Sequence, residues 1–283
     1  MSRDTWRRGL SHVVIVLCGG AVLVALVPLA LVLFYVVTQG VTALSVAFFT
    51  EMPRPVGETG GGMSNAIMGS LMVTMLGALF AVPIGLMSGI YAAEYAGTRL
   101  AAATRFAADT LNGVPSIVVG VFVYSIAVLP FRRFSALAGG LALGVMMIPL
   151  IMRTTEELLR LVPPSLKEGA LALGATRARA VFTVVVPAAL PGIFTGILLA
   201  LSRIAGETAP LLFTALNNGF WSTDVRQPIS TLTVQIFTYA ISPYEEWHQL
   251  AWAGALVLVS MVLFCSLLAR LATARMERMH RGG

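Results

Sequence analysis

RTTEELLRLVPPSLKEGALALGATRARAVFTVVVPAALPG, Arg153 to Gly192, lies between two long apolar runs, and its reading decides the fold. Pro163 and Pro164 end any helix that precedes them: a proline lacks an N–H and pushes the residue before it out of the α region. Ser165 then offers a helix cap, and Glu168 follows three residues later, as in a capping box. A short helix from about Leu166 to Arg179 is expected. Its apolar residues, Leu166, Ala170, Leu173 and Ala175, are mixed with basic ones, so it should lie against a membrane rather than cross it. On composition alone it reads as an interfacial linker.

The chain around this stretch is greasy. Of its 283 residues, 57% are hydrophobic and 11% charged, against about 25% charged in soluble domains. Mean hydropathy is +0.86. This is the composition of an integral membrane protein. The net charge of +6 comes from basic residues that punctuate the apolar runs instead of forming one patch. They act as topology signals, and no nucleic acid is implied. Cys18 and Cys265 sit inside apolar runs and read as small packing or lipid-facing residues. His12, His248 and His280 are scattered, so no metal site is expected.

A bilayer-crossing helix needs about 20 mainly apolar residues. Six segments qualify: 13–37, 67–95, 106–129, 135–152, 181–215 and 251–270. The first follows the basic MSRDTWRRGL and is too long for a signal-peptide core of ~7–15 residues, so it reads as an uncleaved span. The expected fold class is all-α integral membrane: six transmembrane helices with a short helix on the cytoplasmic side, which the resemblance given below makes a coupling helix. The chain divides into an N-terminal segment (1–12), the first span (13–37), an outer loop (38–66), a core of five spans (67–272, with the coupling loop about 163–180) and a C-terminal tail (273–283). With both termini in the cytoplasm, the inside carries Arg3, Arg7, Arg8, Arg99, Arg105, Arg153, Arg160, Lys167, Arg177, Arg179, Arg270, Arg275, Arg278 and Arg281. The outside carries only Arg54, Arg132, Arg133 and Arg226. Arg132 and Arg133, after the third span, are the main dissent. Two outside connections are longer, 38–66 with its flexible GETGGG (Gly57 to Gly62) and 217–250. The aromatics of the second are either interfacial anchors or a dock for an external partner.

The spacing within the opening stretch carries more than a linker does. Glu168-Gly169-Ala170, Gly174, and then Val184-Val185-Val186-Pro187 after nine residues resembles the coupling-loop motif of bacterial ABC importer permeases, E-A-A, three residues, G, nine residues, I-x-L-P. Gly169 replaces the middle alanine, and valines stand at the I and L positions. The resemblance implies the type I ABC importer permease fold, with this helix seated in a groove of a separate ATPase. Gly174 would let the chain turn back toward the membrane. The chain has no G-x-x-x-x-G-K-[ST] loop of its own, so ATP and Mg are expected on the partner.

LSRIAGETAPLLFTAL, Leu201 to Leu216, places Arg203 and Glu207 late in the fifth apolar run. A charge at the bilayer centre costs about 3 to more than 10 kcal/mol. Spaced i,i+4 on one helix, the two would partly neutralise each other. An internal ion pair explains tolerance but not presence. An arginine fork in a water-accessible path suits a tetrahedral oxyanion. Gly206 admits close approach, Pro210 loosens the helix and Thr208 adds a hydroxyl. Glu207 either accepts a hydrogen bond from the P–OH that phosphate keeps near neutral pH, or holds Arg203 until substrate arrives. In the third run, Asn112 and Ser116 around Pro115 either face the path or satisfy backbone freed by the proline. Asp109 and Glu94 lie near the inner face, with a structural or gating role.

SRIAGETAP (Ser202 to Pro210), LNGVPSIVVG (Leu111 to Gly120), GGMSNAIMGS (Gly61 to Ser70) and TLTVQIFTYAISPYEEWHQLAWAGALVL (Thr231 to Leu258) together resemble the PstA-type permease family of bacterial phosphate ABC importers. The resemblance runs from about Gly61 to the end of the sixth span. It implies ATP-driven import of inorganic phosphate across the bacterial inner membrane, with no catalytic residue and no cofactor in this chain. It implies a PstC-type permease partner, two copies of a PstB-type ATPase and a PstS-type phosphate-binding protein. The family's R-x-x-G-E-T motif falls on Arg203, Gly206, Glu207 and Thr208, and the coupling motif on Glu168, Gly169, Ala170, Gly174 and Pro187. A permease for phosphonate, sulfate or molybdate would share the fold and coupling loop. A secondary transporter would not need the coupling helix, and a membrane enzyme would need a nucleophile or metal cluster that the sequence does not gather.

Overall fold

The computed structural model describes residues 3–58 and 60–281, and it is built from helices. Met1, Ser2, Thr59, Gly282 and Gly283, at the edges of the expected N-terminal segment and C-terminal tail and inside the Gly57–Gly62 stretch, lie outside the described residues. The helices are α1 (Arg3–Ala43), α2 (Val46–Thr50), α3 (Ser64–Glu94), α4 (Arg99–Gly113), α5 (Ser116–Val123), α6 (Ala136–Leu161), α7 (Pro164–Ala172), α8 (Arg177–Ala180), α9 (Val186–Ile204), α10 (Ala209–Thr214), α11 (Leu232–Ala240) and α12 (Glu245–Arg281). Side-chain oxygens of Ser45, Thr98, Ser135 and Thr176 cap α2, α4, α6 and α8 by accepting from the third N–H onward.

Among the described residues, five helical stretches are long and apolar enough to cross a membrane: Leu10–Ala43, Ser64–Glu94, Ala136–Leu161, Arg177–Ile204 and Glu245–Leu268. A further pair, Arg99–Gly113 with Ser116–Val128, passes the same test together and is bent by 105°, the geometry of a broken span or a re-entrant loop. The third apolar run is therefore not one straight helix over 106–129. Pro115 removes an N–H and pushes Val114 into an extended conformation (φ −74°, ψ 128°), which ends α4. The fourth run continues as helix well past 152, to Leu161, where Pro163 stops it. The fifth ends at Ile204 rather than 215.

α3 and α6 pack lengthwise at the centre. Small residues let the backbones meet: a Cβ on Gly77 would lie 3.1 Å from the Gly140 carbonyl oxygen. α9 packs on the other flank of α6, and the shared core gathers Val73, Leu143, Met147, Ile151, Ile204 and Leu211. α1 leans on α12 near Gly40, which abuts Leu256, and Tyr35, whose ring lies 6.1 Å from that of Trp252. Apart from the buried Val36, the apolar residues from Leu10 to Val41 are exposed, as a bilayer allows.

The connection after α10 is not wholly a surface loop. The Leu232 N–H donates to Ser70 Oγ, six residues into α3, or about 9 Å along that helix. Thr233 Oγ1 donates to the Glu207 carbonyl, while Tyr239 packs with Phe48 and Met63 near the start of α3. α11 thus begins inside the bundle and climbs back out. This corrects the reading of 217–250 as a plain outer connection.

Candidate functional site

The break after α9 follows from two residues. Pro210 has no N–H to offer the Gly206 carbonyl, and glycine is a poor helix former. The chain tightens through bonds from the Gly206 N–H to the Arg203 carbonyl (3.4 Å) and from the Glu207 N–H to the Ile204 carbonyl (3.0 Å). Thr208 (φ −108°) then starts α10. Arg203 therefore sits in the last turn of α9, where the helix dipole favours a cation. Glu207 lies beyond the helix end. Among the described residues, neither side chain has a hydrogen-bond or ion-pair partner, and they do not pair with each other. The i,i+4 ion pair expected from the sequence is not formed, because the helix that would stack the two has already ended.

Arg203 and Glu207 instead line one cavity of about 200 Å³ together with Asn112 and Ser116. Met146 and Leu150 of α6 and Ile204 close it on the apolar side, and Leu111 and Val114 close it at the bend. The bend at Pro115 brings Asn112 and Ser116 to this place. Neither side chain hydrogen-bonds to another described residue, so they do not repair the backbone freed by the proline. α5 is held against α10 where a Cβ on Gly120 would come within 2.7 Å of the Pro210 Cα. Thr208 and Gly206 flank the cavity without lining it. A Cβ on Gly206 would meet only the Arg203 carbonyl oxygen, at 3.7 Å, so no close approach within this chain requires that glycine.

The cavity offers one unpaired guanidinium, one carboxylate, an amide and a hydroxyl against apolar walls. That set can take an oxyanion bearing a proton: the guanidinium donates to its oxygens, and the carboxylate accepts from its O–H. Thr233, missed from the sequence, fixes the break by donating to the Glu207 carbonyl at 3.0 Å. Its signal was polar residues recurring through Ser230–Gln235 inside an apolar neighbourhood, all buried in the fold.

The opening stretch folds as a separate hairpin at the other end of α6. Its helix begins at Pro164, with Pro163 at the cap and no side-chain cap bond, so the capping box on Ser165 and Glu168 is not made. Proline at the first helical position serves instead, since its missing N–H would be unpaired there in any case. The helix ends at Ala172, short of the expected Arg179, because Gly174 turns the chain at φ +84°. The Gly174 N–H reaches the Leu171 carbonyl and the Ala175 N–H the Ala170 carbonyl.

No residue of α7 is buried; Glu168 and Gly169 are exposed, and Leu173 beyond its end is 91% exposed. Glu94 at the end of α3 receives Lys167 of α7 and Arg177 of α8 (3.2 Å), and the Arg177 guanidinium lies 4.6 Å from the Tyr95 ring centroid. Next to it, the buried Glu156 carboxylate holds Arg105 (2.5 Å), Arg160 (2.6 Å) and Arg153 (3.2 Å), and Arg153 also binds Asp109. Asp109 and Glu94 thus serve the structure of this end. Between α8 and α9, a π-helical turn (Val181–Val185) moves the Val186 N–H onto the Val181 carbonyl. Pro187 follows, where an N–H would be lost anyway.

The sequence model of the family described as binding-protein-dependent transport system inner membrane component matches residues 81–278. A phosphate transport system permease protein PstA from Yersinia pestis is 47% identical over 274 residues, covering 96% of this chain and 93% of its own length. One from Haemophilus influenzae is 43% identical, covering 95% of each chain. A probable one from Methanocaldococcus jannaschii is 38% identical, covering 87% of each. Among solved structures, an inward-facing MetNI methionine ABC transporter has a TM-score of 0.57 at 19% identity, covering 76% of this chain and 92% of that one. An amino acid ABC transporter has a TM-score of 0.57 at 20% identity, covering 74% and 92%.

Proposed function

The chain belongs to the binding-protein-dependent inner-membrane permeases and, within them, to the PstA-type phosphate permeases; from that premise we propose that inorganic phosphate crosses the membrane along a path lined by Arg203, Glu207, Asn112 and Ser116. The family is a transport family, so phosphate is moved and not transformed, and ATP hydrolysis belongs to a separate subunit. This chain needs no cofactor; ATP and Mg would be bound by the ATPase.

The observation that carries the reading is the cavity itself. It gathers the only unpaired arginine and carboxylate of the R-x-x-G-E-T stretch with two polar residues from another span. Two leucines in place of Arg203 and Glu207 would cost nothing in a bilayer, so an unpaired guanidinium held there has use for an anion. Phosphate carries at least one proton near neutral pH, so it has a P–OH from which Glu207 can accept a hydrogen bond. Sulfate carries none, and the carboxylate would repel it.

α7, exposed along its length and clamped to α3, is the contact for the ATPase, with Glu168, Gly169 and Ala170 on the docking helix and Gly174 and Pro187 setting its return. The α7 end faces the cytoplasm with both termini, in the bacterial inner membrane. A PstC-type permease closes the other wall of the path, two PstB-type ATPase copies drive it, and a PstS-type binding protein delivers phosphate at the opposite end. The test is ATP-driven uptake by the reconstituted complex with competing anions. Phosphate should be taken up in the presence of excess sulfate or molybdate. Uptake of either of those anions at a comparable rate would overturn the assignment of phosphate.

A further inference from the structure

Arg133 and Arg226 stand at the end of the bundle opposite α7, where the charge rule for membrane proteins disfavours them. Among the described residues, neither guanidinium has a hydrogen-bond, ion-pair or ring partner. Asp224 is close, but its carboxylate accepts from the Arg226 backbone N–H (2.9 Å) and leaves the guanidinium free. The two arginines are brought together because the Leu137 and Ala136 N–H groups at the start of α6 donate to the Val225 and Gln227 carbonyls.

Both arginines open onto a crevice of about 530 Å³. Its walls are apolar: Phe131 near the top, then Leu137 and Leu141 of α6, and Phe80 of α3 at the bottom. Phe80 packs level with Gly144, nine residues below Ser135, which puts the floor about 13 Å beneath the arginines. The crevice is walled by α3 (Phe80), α6 (Leu137, Ala138, Leu141) and the segment after α5 (Ala127, Phe131).

We propose that this crevice binds one anionic phospholipid of the leaflet opposite α7, its phosphodiester held between Arg133 and Arg226 and an acyl chain laid along Phe131, Leu141 and Phe80. The chemistry matches at both ends. Two guanidinium forks at the interface suit a phosphate oxygen pair, and an apolar slot running inward suits a hydrocarbon chain. A zwitterionic headgroup would bring its ammonium against two arginines, so selection favours a lipid such as phosphatidylglycerol. The site also explains why these arginines oppose the charge rule: they are paired by lipid rather than serving as topology signals. It is separate from the Asn112–Arg203 cavity, which takes the opposite face of α6. The assignment to the outer leaflet rests on the orientation proposed above; the lipid contact does not.

The test is native mass spectrometry of the whole importer, extracted from nanodiscs of phosphatidylethanolamine with added phosphatidylglycerol. The wild type should retain phosphatidylglycerol, and millimolar inorganic phosphate should not displace it. Arg133→Gln and Arg226→Gln should each weaken retention about tenfold, while Arg133→Lys keeps most of it. Leu141→Trp, which fills the slot and leaves the charges, should also release the lipid. Equal retention by the double Gln variant in an assembled complex would overturn the proposal. So would displacement by inorganic phosphate, which would make this an anion site, or a photo-crosslinker at Leu141 capturing the partner permease instead of lipid.

Discussion

Arg203 and Glu207 show how four residues of separation can mean two different geometries. On a continuous helix they would stack and neutralise each other. Gly206 and Pro210 end the helix between them, and both side chains turn to one cavity unpaired. The sequence contained both breakers, but a membrane helix often carries glycine and proline through, so their presence did not decide between a loosened helix and an ended one. If Glu207 accepts a hydrogen bond from the P–OH of phosphate, Glu207→Gln should lower phosphate uptake several-fold and relax the exclusion of sulfate. Competition uptake in proteoliposomes measures this, and undiminished exclusion would leave Glu207 as a holder of Arg203 at another stage. Gly69 is a second position where one atom decides. A Cβ there would lie 1.8 Å from the Ser230 carbonyl oxygen, beside the Ser70–Leu232 bond that seats α11. Overpacking of this kind costs about 1–3 kcal/mol. Gly69→Ala should lower the thermal midpoint of the assembled complex by a few degrees, and an unchanged midpoint would mean that α11 is not held as described.

The α7–α8 hairpin was legible through its spacing, and its details were not. Gly174 turns the chain as the motif implies, at a positive φ that only glycine adopts freely. The start was misjudged because Ser165 looked like a cap, while two prolines had already set the first turn from outside. The clamp on Glu94 was hidden altogether. It joins residues some seventy and eighty positions apart, and no local pattern reports that. Arg153, Glu156 and Arg160, by contrast, follow helical spacing and were open to reading as a network. Since Glu94 ties α7 and α8 to the end of α3, ATPase motion at α7 should enter the bundle through that span as well as through α6 and α9. Glu94→Ala should leave ATP hydrolysis largely intact and reduce phosphate moved per ATP several-fold. Parallel assays of hydrolysis and uptake would show it, and an unaltered ratio would place the coupling elsewhere.

The chain as a whole is one subunit of a transporter. Five spans and a bent helix pair were readable as six apolar runs, since length and hydropathy report a candidate bilayer crossing directly. How those spans bend was not, because the 105° turn at Pro115 and the re-entry of α11 depend on contacts between distant segments. These two features build the cavity. The bend supplies Asn112 and Ser116, and α11 pins the break beside Arg203. Arg203 and Asn112 remain exposed on this chain. The most direct test is phosphate uptake by vesicles carrying the complete importer with Arg203→Gln, with ATP hydrolysis and subunit assembly followed in the same preparation. Uptake should fall to background while assembly and hydrolysis persist, and Arg203→Lys should restore only part of it. Uptake near the wild-type rate in the Arg203→Gln complex would contradict the account, because the phosphate path would then not pass this arginine.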